Sequence, residues 1–301
     1  MQPGFIRSIV LCIFCTPFFC GLALPAFAAD PPVHGLWVWK SPTILEASRA
    51  AEALRDFCQS EGINEVYVSV SARTEAAEES HLVQLIALLH RSNIRVEALL
   101  SSADADEPGK HREKLLDHVR EILQFNRQHS GDRFDGIHLD IEPQQRPENK
   151  GPGNLRFLPG LIDAFGEVRA LTDRNRLTVN ADIQNKLLKG DLNERKMLLS
   201  AVPRLTLMLY ELSSSADGEN FEKQADKLRN SAQKFLDMAY DGLEGQDLAK
   251  MSIALRTPDY ADRLPAMLKT LDASFQQNPH YLGWARHSYN DYLKPSRDAA
   301  R

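Results

Sequence analysis

The sequence predicts a single (β/α)8 (TIM) barrel of the α/β class, on three observations. Eight short apolar or β-branched runs alternate with seven helix-period segments along the chain. That alternation, with no adjacent strand pair and no break in composition, reads as repeated βαβ units. The chain left after a cleaved leader is about 270 residues, close to the ~250 typical of a closed eight-stranded barrel. No glycine-rich phosphate loop follows the first run, which weakens the dinucleotide-binding alternative.

The N-terminal segment is set apart first. Arg7 precedes the apolar run "SIVLCIFCTPFFCGLAL", and in "PAFAAD" Ala26 and Ala28 fit the small-residue pattern of a signal-peptidase site. Pro17 and Gly21 interrupt the run, and its apolar length is modest for a membrane span. The expectation is a cleaved signal peptide over 1–28, a barrel domain over 29–301, and an exported protein, periplasmic or secreted. Three of the four cysteines (Cys12, Cys15, Cys20) would leave with the leader. Cys58 alone remains, which excludes an intrachain disulfide and a cysteine zinc site. Within the apolar-periodic "EALRDFCQSEG" it reads as a small buried hydrophobe.

The first strand is expected at 35–40 ("GLWVWK"), with Trp37 and Trp39 on one face. A helix over 43–61 leads to the second strand, "NEVYVSVS" at 64–71, with Ser69, Ser71 and Arg73 at its rim. A helix over 75–92 and the strand "IRVEALLS" at 94–101 follow. In the helix over 109–129, Leu116, Val119, Leu123 and Phe125 recur at helical spacing with charges between them. The fourth strand is "FDGIHLDIE" at 134–142, and "PQQRPENKGPGN" after it is a long polar loop. On a barrel such a loop lies at the C-terminal face, where active sites are built. The series continues with helix 154–174, strand 177–183, helix 192–202, strand 205–211 and helix 221–240. Strand 250–256, helix 259–277 and strand 281–287 complete it.

The fourth strand carries the chemistry. Alternation puts Ile137, Leu139 and Ile141 on one face with Asp135, and His138, Asp140 and Glu142 on the other with Gly136. The apolar set suits the helix side of a barrel wall, so the polar set points into the lumen with Glu142 nearest the mouth. Stacked, partly desolvated carboxylates repel, and at least one should keep its proton to unusually high pH. A carboxylic acid still protonated near neutrality is what general-acid cleavage of a glycosidic bond needs. The bland alternative is a buried polar network that tolerates the acids, although no Lys or Arg lies within the stretch itself.

These residues carry a resemblance. "FDGIHLDIE" resembles the Asp-Gly-x-Asp-x-Asp-x-Glu signature of the chitinase-like family 18 glycoside hydrolases, with Asp135, Gly136, Asp140 and Glu142 in register and His138 where the family has Asp or Asn. "MLYE" is similar to the family's Met-x-Tyr-Asp, with Glu211 in place of the Asp. The third-strand Ser-x-Gly-Gly pattern is replaced by "ALLSSAD". A divergent member is therefore implied, acting on a glycan that carries N-acetylhexosamine. By that resemblance Glu142 protonates the leaving oxygen, the substrate's 2-acetamido group attacks the anomeric carbon with retention, Asp140 orients that group and Tyr210 hydrogen-bonds its carbonyl. Asp135, His138, Trp39, Asp182, Glu211 and Trp284 are expected around the sugar, Trp284 as its floor. No second enzyme carboxylate is required in this chemistry.

Two rivals stay open. Glu142 paired with Asp182 or Glu211 across a water would make a conventional two-carboxylate glycosidase. A non-catalytic carbohydrate-binding barrel is the other. Lumen parity also brings Asn180 and Asp182 from strand five and Tyr210 from strand six, and His287 lies just past strand eight. The expected partner is an oligosaccharide or polysaccharide. The net charge of −5 and the lack of basic blocks argue against a nucleic-acid surface. No second long apolar segment suggests a membrane span after the leader. The scattered histidines give no metal spacing, and neither a metal nor a cofactor is expected. No Gly-x-Ser-x-Gly elbow occurs.

Overall fold

The computed structural model describes residues 31–39, 41, 48–70, 76–151, 153–210, 220–243 and 247–293. The leader, Glu211, Ser71 and Arg73 lie outside these described residues. Eight parallel strands close on themselves in sequence order. They are β1 (Val33–Val38), β2 (Glu65–Ser69), β3 (Arg95–Ser102), β4 (Gly136–Ile141), β5 (Thr178–Gln184), β6 (Arg204–Met208), β7 (Lys250–Arg256) and β8 (Tyr281–His287). The longer helices between them are α1 (Ser48–Glu61), α2 (Ala76–His90), α3 (Lys110–Gln128), α4 (Leu158–Asp173), α5 (Leu192–Ala201), α6 (Phe221–Tyr240) and α7 (Leu264–Phe275).

Each strand has two buried faces, as a parallel barrel wall must. On β4 the outer residues Ile137, Leu139 and Ile141 are at most 1% exposed and join the core shared with the helices. The amphipathic α3 supplies one of the matching faces. It buries Leu115, Val119, Ile122 and Leu123, while Leu116 and Phe125 pack at its margin. A capping box at the start of α5, built from Asp191 and Glu194, satisfies backbone N–H groups that would otherwise lack partners. A second, smaller cluster fills the lumen: Trp37, Tyr67, Leu99, Ala254 and Ala285, with Trp39 and Tyr210 packed against it.

The seam between β1 and β8 pairs Val33 with Gly283 and His34 with Trp284. Gly283 has φ +146°, and a Cβ there would fall 1.9 Å from the Val33 carbonyl oxygen. Only glycine lets the two backbones approach at that point. Nearby, Asp272 of α7 accepts hydrogen bonds from His34 Nε2 (2.8 Å), Tyr281 Oη (3.0 Å) and Trp284 Nε1 (3.0 Å). One carboxylate thereby ties the first strand, the last strand and the last long helix together.

Most strands shift by one or two residues at their ends from the sequence reading, and two of the changes bear on the site. Strand β6 closes at Met208 rather than extending to 211, although Leu209 N–H still donates to Ala254 O (3.0 Å). Strand β5 runs on to Gln184, one residue past the expected end, which brings a further side chain to the lumen face.

Candidate active site

The site is a column of polar side chains rising through the lumen. At its floor Arg204 of β6 bonds Glu65 of β2 (2.6 and 3.0 Å) and Glu97 of β3 (3.0 Å). Gly136 makes room for this group, because a Cβ there would lie 2.8 Å from Glu97 Oε1. Burial alone would raise the proton affinity of Glu97, but Arg204 and His138 bring it below the usual carboxylate range.

Above the floor stands His138, 0% exposed. Its Nε2 faces Asp182 Oδ1 at 2.8 Å and its Nδ1 faces Glu97 Oε2 at 3.4 Å. The Tyr67 ring stacks on it at 3.7 Å and Trp37 meets it edge-on at 5.4 Å. Desolvation works against a charged ring, yet the two carboxylates outweigh it, and the imidazole is pushed up to about 9. Asp182 is held on its other side as well, by Trp37 Nε1 on Oδ2 at 3.3 Å.

Asp140 occupies the next level. Its buried Oδ1 has no hydrogen-bond partner. Burial first, then the charges of Asp182 and Glu142, push its carboxyl well above the ordinary range against the pull of His138. Glu142 sits at the C-terminal mouth, its backbone N–H carried on from β4 by a bond to Ser102 O (3.1 Å). Oε1 accepts from Gln144 Nε2 and Gln184 Nε2, both at 3.1 Å, and Oε2 accepts from Gln145 Nε2. Desolvation raises its proton affinity. The Asp182 charge adds to this, and the Gln184 and Gln144 bonds and the Lys186 charge oppose it without cancelling it.

Aromatic groups complete the mouth. Tyr210 and Trp39 are half-buried. The Tyr210 ring lies 5.6 Å from that of His287, and burial followed by the three nearby carboxylates holds its phenol well above its usual value. Trp39 Nε1 donates to His287 Nε2 at 3.0 Å, so that nitrogen is an acceptor. Burial lowers His287, in keeping with a neutral ring.

Of the residues expected from sequence, Glu142, Asp140, Tyr210, Trp39 and Asp182 therefore converge on the lumen's upper end. Two others are placed elsewhere, and His138 lies lower in the column. Asp135 lies at the opposite end of β4, where it accepts from His90 Nε2 (2.9 Å) and Val96 N–H (2.8 Å), so it staples strands and helix rather than meeting substrate. Although burial would raise it, those bonds bring its carboxyl below the ordinary value. Trp284 faces outward, 4% exposed, stacked on His34 at 4.1 Å and bonded to Asp272. It cannot floor a site in the lumen. Ala285 and His287 hold the inward positions of β8, as strand alternation requires. His138 is fully buried lower in the lumen, where it contacts protein groups. Glu211 is outside the described residues.

Gln184, Gln144 and Gln145 escaped the sequence reading. Gln184 was within reach, since it continues the Asn180, Asp182 parity by one more step. The other two are set by the loop's pair of 3₁₀ turns, Pro143–Gln145 and Pro147–Asn149, and carry no spacing signal. Among the described residues, no group of His, Cys, Asp or Glu is arranged to hold a metal ion.

Solved structures share this architecture. An exo-β-1,4-mannosidase from Opitutaceae bacterium strain TAV5 superposes with a TM-score of 0.55 over 85% of this chain at 11% identity. The match spans about half of that enzyme, 51% of its length. A chitinase from Bacteroides thetaiotaomicron gives a TM-score of 0.50 at 13% identity, over 89% of this chain and 92% of that one. The likeness is one of fold. No protein-family model and no curated protein matches the sequence. Function therefore has to be argued from the column itself.

The column separates its acids by environment. Asp182 is fixed by two donors, Asp140 is desolvated between two charges, and Glu142 is half-buried at the open end with raised proton affinity. Carboxyls held in surroundings this different are suited to distinct acid and electrostatic roles.

Proposed function

We propose that this chain is an exported glycoside hydrolase that cleaves an oligosaccharide or polysaccharide containing N-acetylhexosamine, with Glu142 as the proton donor. The observation that carries the reading is Glu142 itself, a carboxyl at the mouth of a closed barrel whose burial and anionic neighbour favour the protonated form. Such a group delivers its proton to the oxygen of the bond being broken. The aromatic rings of Trp39 and Tyr210 beside it offer apolar faces to a sugar ring.

The substrate-assisted route is the finer part of the proposal. The 2-acetamido group attacks the anomeric carbon as the leaving oxygen takes the Glu142 proton, Asp140 orients the acetamido nitrogen, and Tyr210 hydrogen-bonds its carbonyl. Product forms with retained configuration when water opens the resulting ring. Supporting this route over a pair of enzyme carboxylates, Asp182 already accepts one protein hydrogen bond on each oxygen.

The test is a mass-spectrometric digest of acetylated and de-N-acetylated oligosaccharides by the wild type and Glu142→Gln. Cleavage confined to acetylated substrates, and lowered by at least ~10²–10⁴-fold in the variant, is expected, since general-acid help is of that size. Cleavage indifferent to acetylation, or product of inverted anomeric configuration, would remove the acetamido route and leave a carboxylate pair. Binding without any cleavage would make the barrel a carbohydrate-binding protein. The exported state is checked separately: intact mass of the protein recovered outside the cytoplasm should correspond to a chain beginning at residue 29.

A further inference from the structure

Beneath the acids lies a fully buried histidine. Both ring nitrogens of His138 face carboxylates, Asp182 of β5 at 2.8 Å and Glu97 of β3 at 3.4 Å. Each of those carboxylates also receives a second donor: Trp37 Nε1 bonds Asp182, and Arg204 bonds Glu97. Trp37 Nε1 and the Arg204 guanidinium can only donate, so each carboxylate accepts from them and offers the ring an acceptor on either side. The remaining ionisable neighbours are Asp140 on its own strand, Tyr67 of β2 stacked against it, and Glu65 of β2 across the Arg204 guanidinium. Trp37 of β1 closes the shell without charge.

We infer that His138 is a positioning residue for the acids at the mouth: held between Glu97 and Asp182 it stays an imidazolium, fixes the Asp182 side chain in place beneath them, and so leaves the available proton to Asp140 and Glu142. The ring holds Asp182 directly and Asp140 only through space. Asp140 has a free, buried oxygen and no bond to the ring, whereas Asp182 is bonded to it. The Asp182 charge is then felt by both acids, and both are raised by it. This inference rests on Glu142 acting as the acid, but the charge of the ring can be read without any substrate.

Two measurements test it. In ¹⁵N-histidine-labelled wild type, with the His138 signals assigned through ring contacts to Trp37 and Tyr67, both nitrogens should report protonation at pH 7 and remain so at pH 8. A neutral ring at pH 7 overturns the inference, whatever the protein cleaves. Next, the pH profile of kcat/KM is compared for wild type, His138→Gln, Asp182→Asn and the double variant. Each single change should move the alkaline limb to lower pH, on the order of one unit, because Glu142 loses the neighbouring charge. The double variant should move it no further. Equal rate loss at every pH, with the limb unmoved, is the signature of a merely structural histidine and overturns the inference. Should the wild type cleave no glycan, the hydrolase reading falls, and the ring's charge at pH 7 still decides this one.

Discussion

Three amides surround the Glu142 carboxyl, and each donates to it. Donors favour the charged form, so burial and the Asp182 charge prevail over an opposing cage. Removing one bar of that cage has a signed consequence. Gln184→Ala should raise the proton affinity of Glu142 and move the alkaline limb of kcat/KM to higher pH, opposite to His138→Gln. The buried histidine also links stability to pH. Its folded value of about 9 lies above the ordinary 6.5. Its contribution is therefore complete below about pH 6.5 and is lost as pH rises through 9. The shift corresponds to about 3 kcal/mol. Urea midpoints measured from pH 6 to 10 should fall across that window in the wild type and lose this fall in His138→Gln.

At the scale of the element, the loop after β4 is held from outside the lumen. Arg146 bonds Asp106 (2.7 Å) and Glu107 (2.9 Å), acids from the loop after β3, and so anchors the turn that presents Gln144 and Gln145. Asp106 is only 3% exposed, so Arg146→Ala strands a buried carboxylate and frees the turn. Faster limited proteolysis between residues 143 and 154 is expected, with a rise in KM. Strand β4 was legible because apolar and polar residues alternate along it, which fixes the phase of its faces. Strand β8 was not. In "YLGWARH" nearly every residue is buried on one side or the other, so composition does not say which face looks inward. The outward turn of Trp284 follows from pairing at the seam, which no local pattern announces. Helix α1 was simpler: Cys58 is fully buried and its thiol is pushed up to about 12 by desolvation. A disulfide-exchange reagent should label it at the rate of global unfolding.

Across the whole molecule, the lumen changes character from base to mouth. Its base holds a buried ion network and its mouth holds carboxyls that no described Lys or Arg pairs with directly. Eight-strand order and the lumen placement of Asp140, Glu142 and Asp182 could be read in advance. Arg204, Glu65 and Glu97 could not be joined, because strands far apart in the chain bring them together. Arg204→Met would take the shared guanidinium from two buried carboxylates, leaving Glu65 only Arg95 and Glu97 only His138, at a cost of about 3–5 kcal/mol. Chemical denaturation checks this.

The glycine at the seam has a consequence for how the chain folds. Val33 and Gly283 are separated by roughly 250 residues, so their pairing is among the most expensive loop closures the chain makes and one of the last available during synthesis. Until β8 emerges, β1 and β7 present unpaired edges, and open edges invite association between chains. Gly283→Ala would prolong that interval, since its methyl group collides with the Val33 backbone. Refolding yield that falls steeply with protein concentration in this variant, and only weakly in the wild type, would mark the seam as the point where the chain chooses between closing on itself and joining a neighbour.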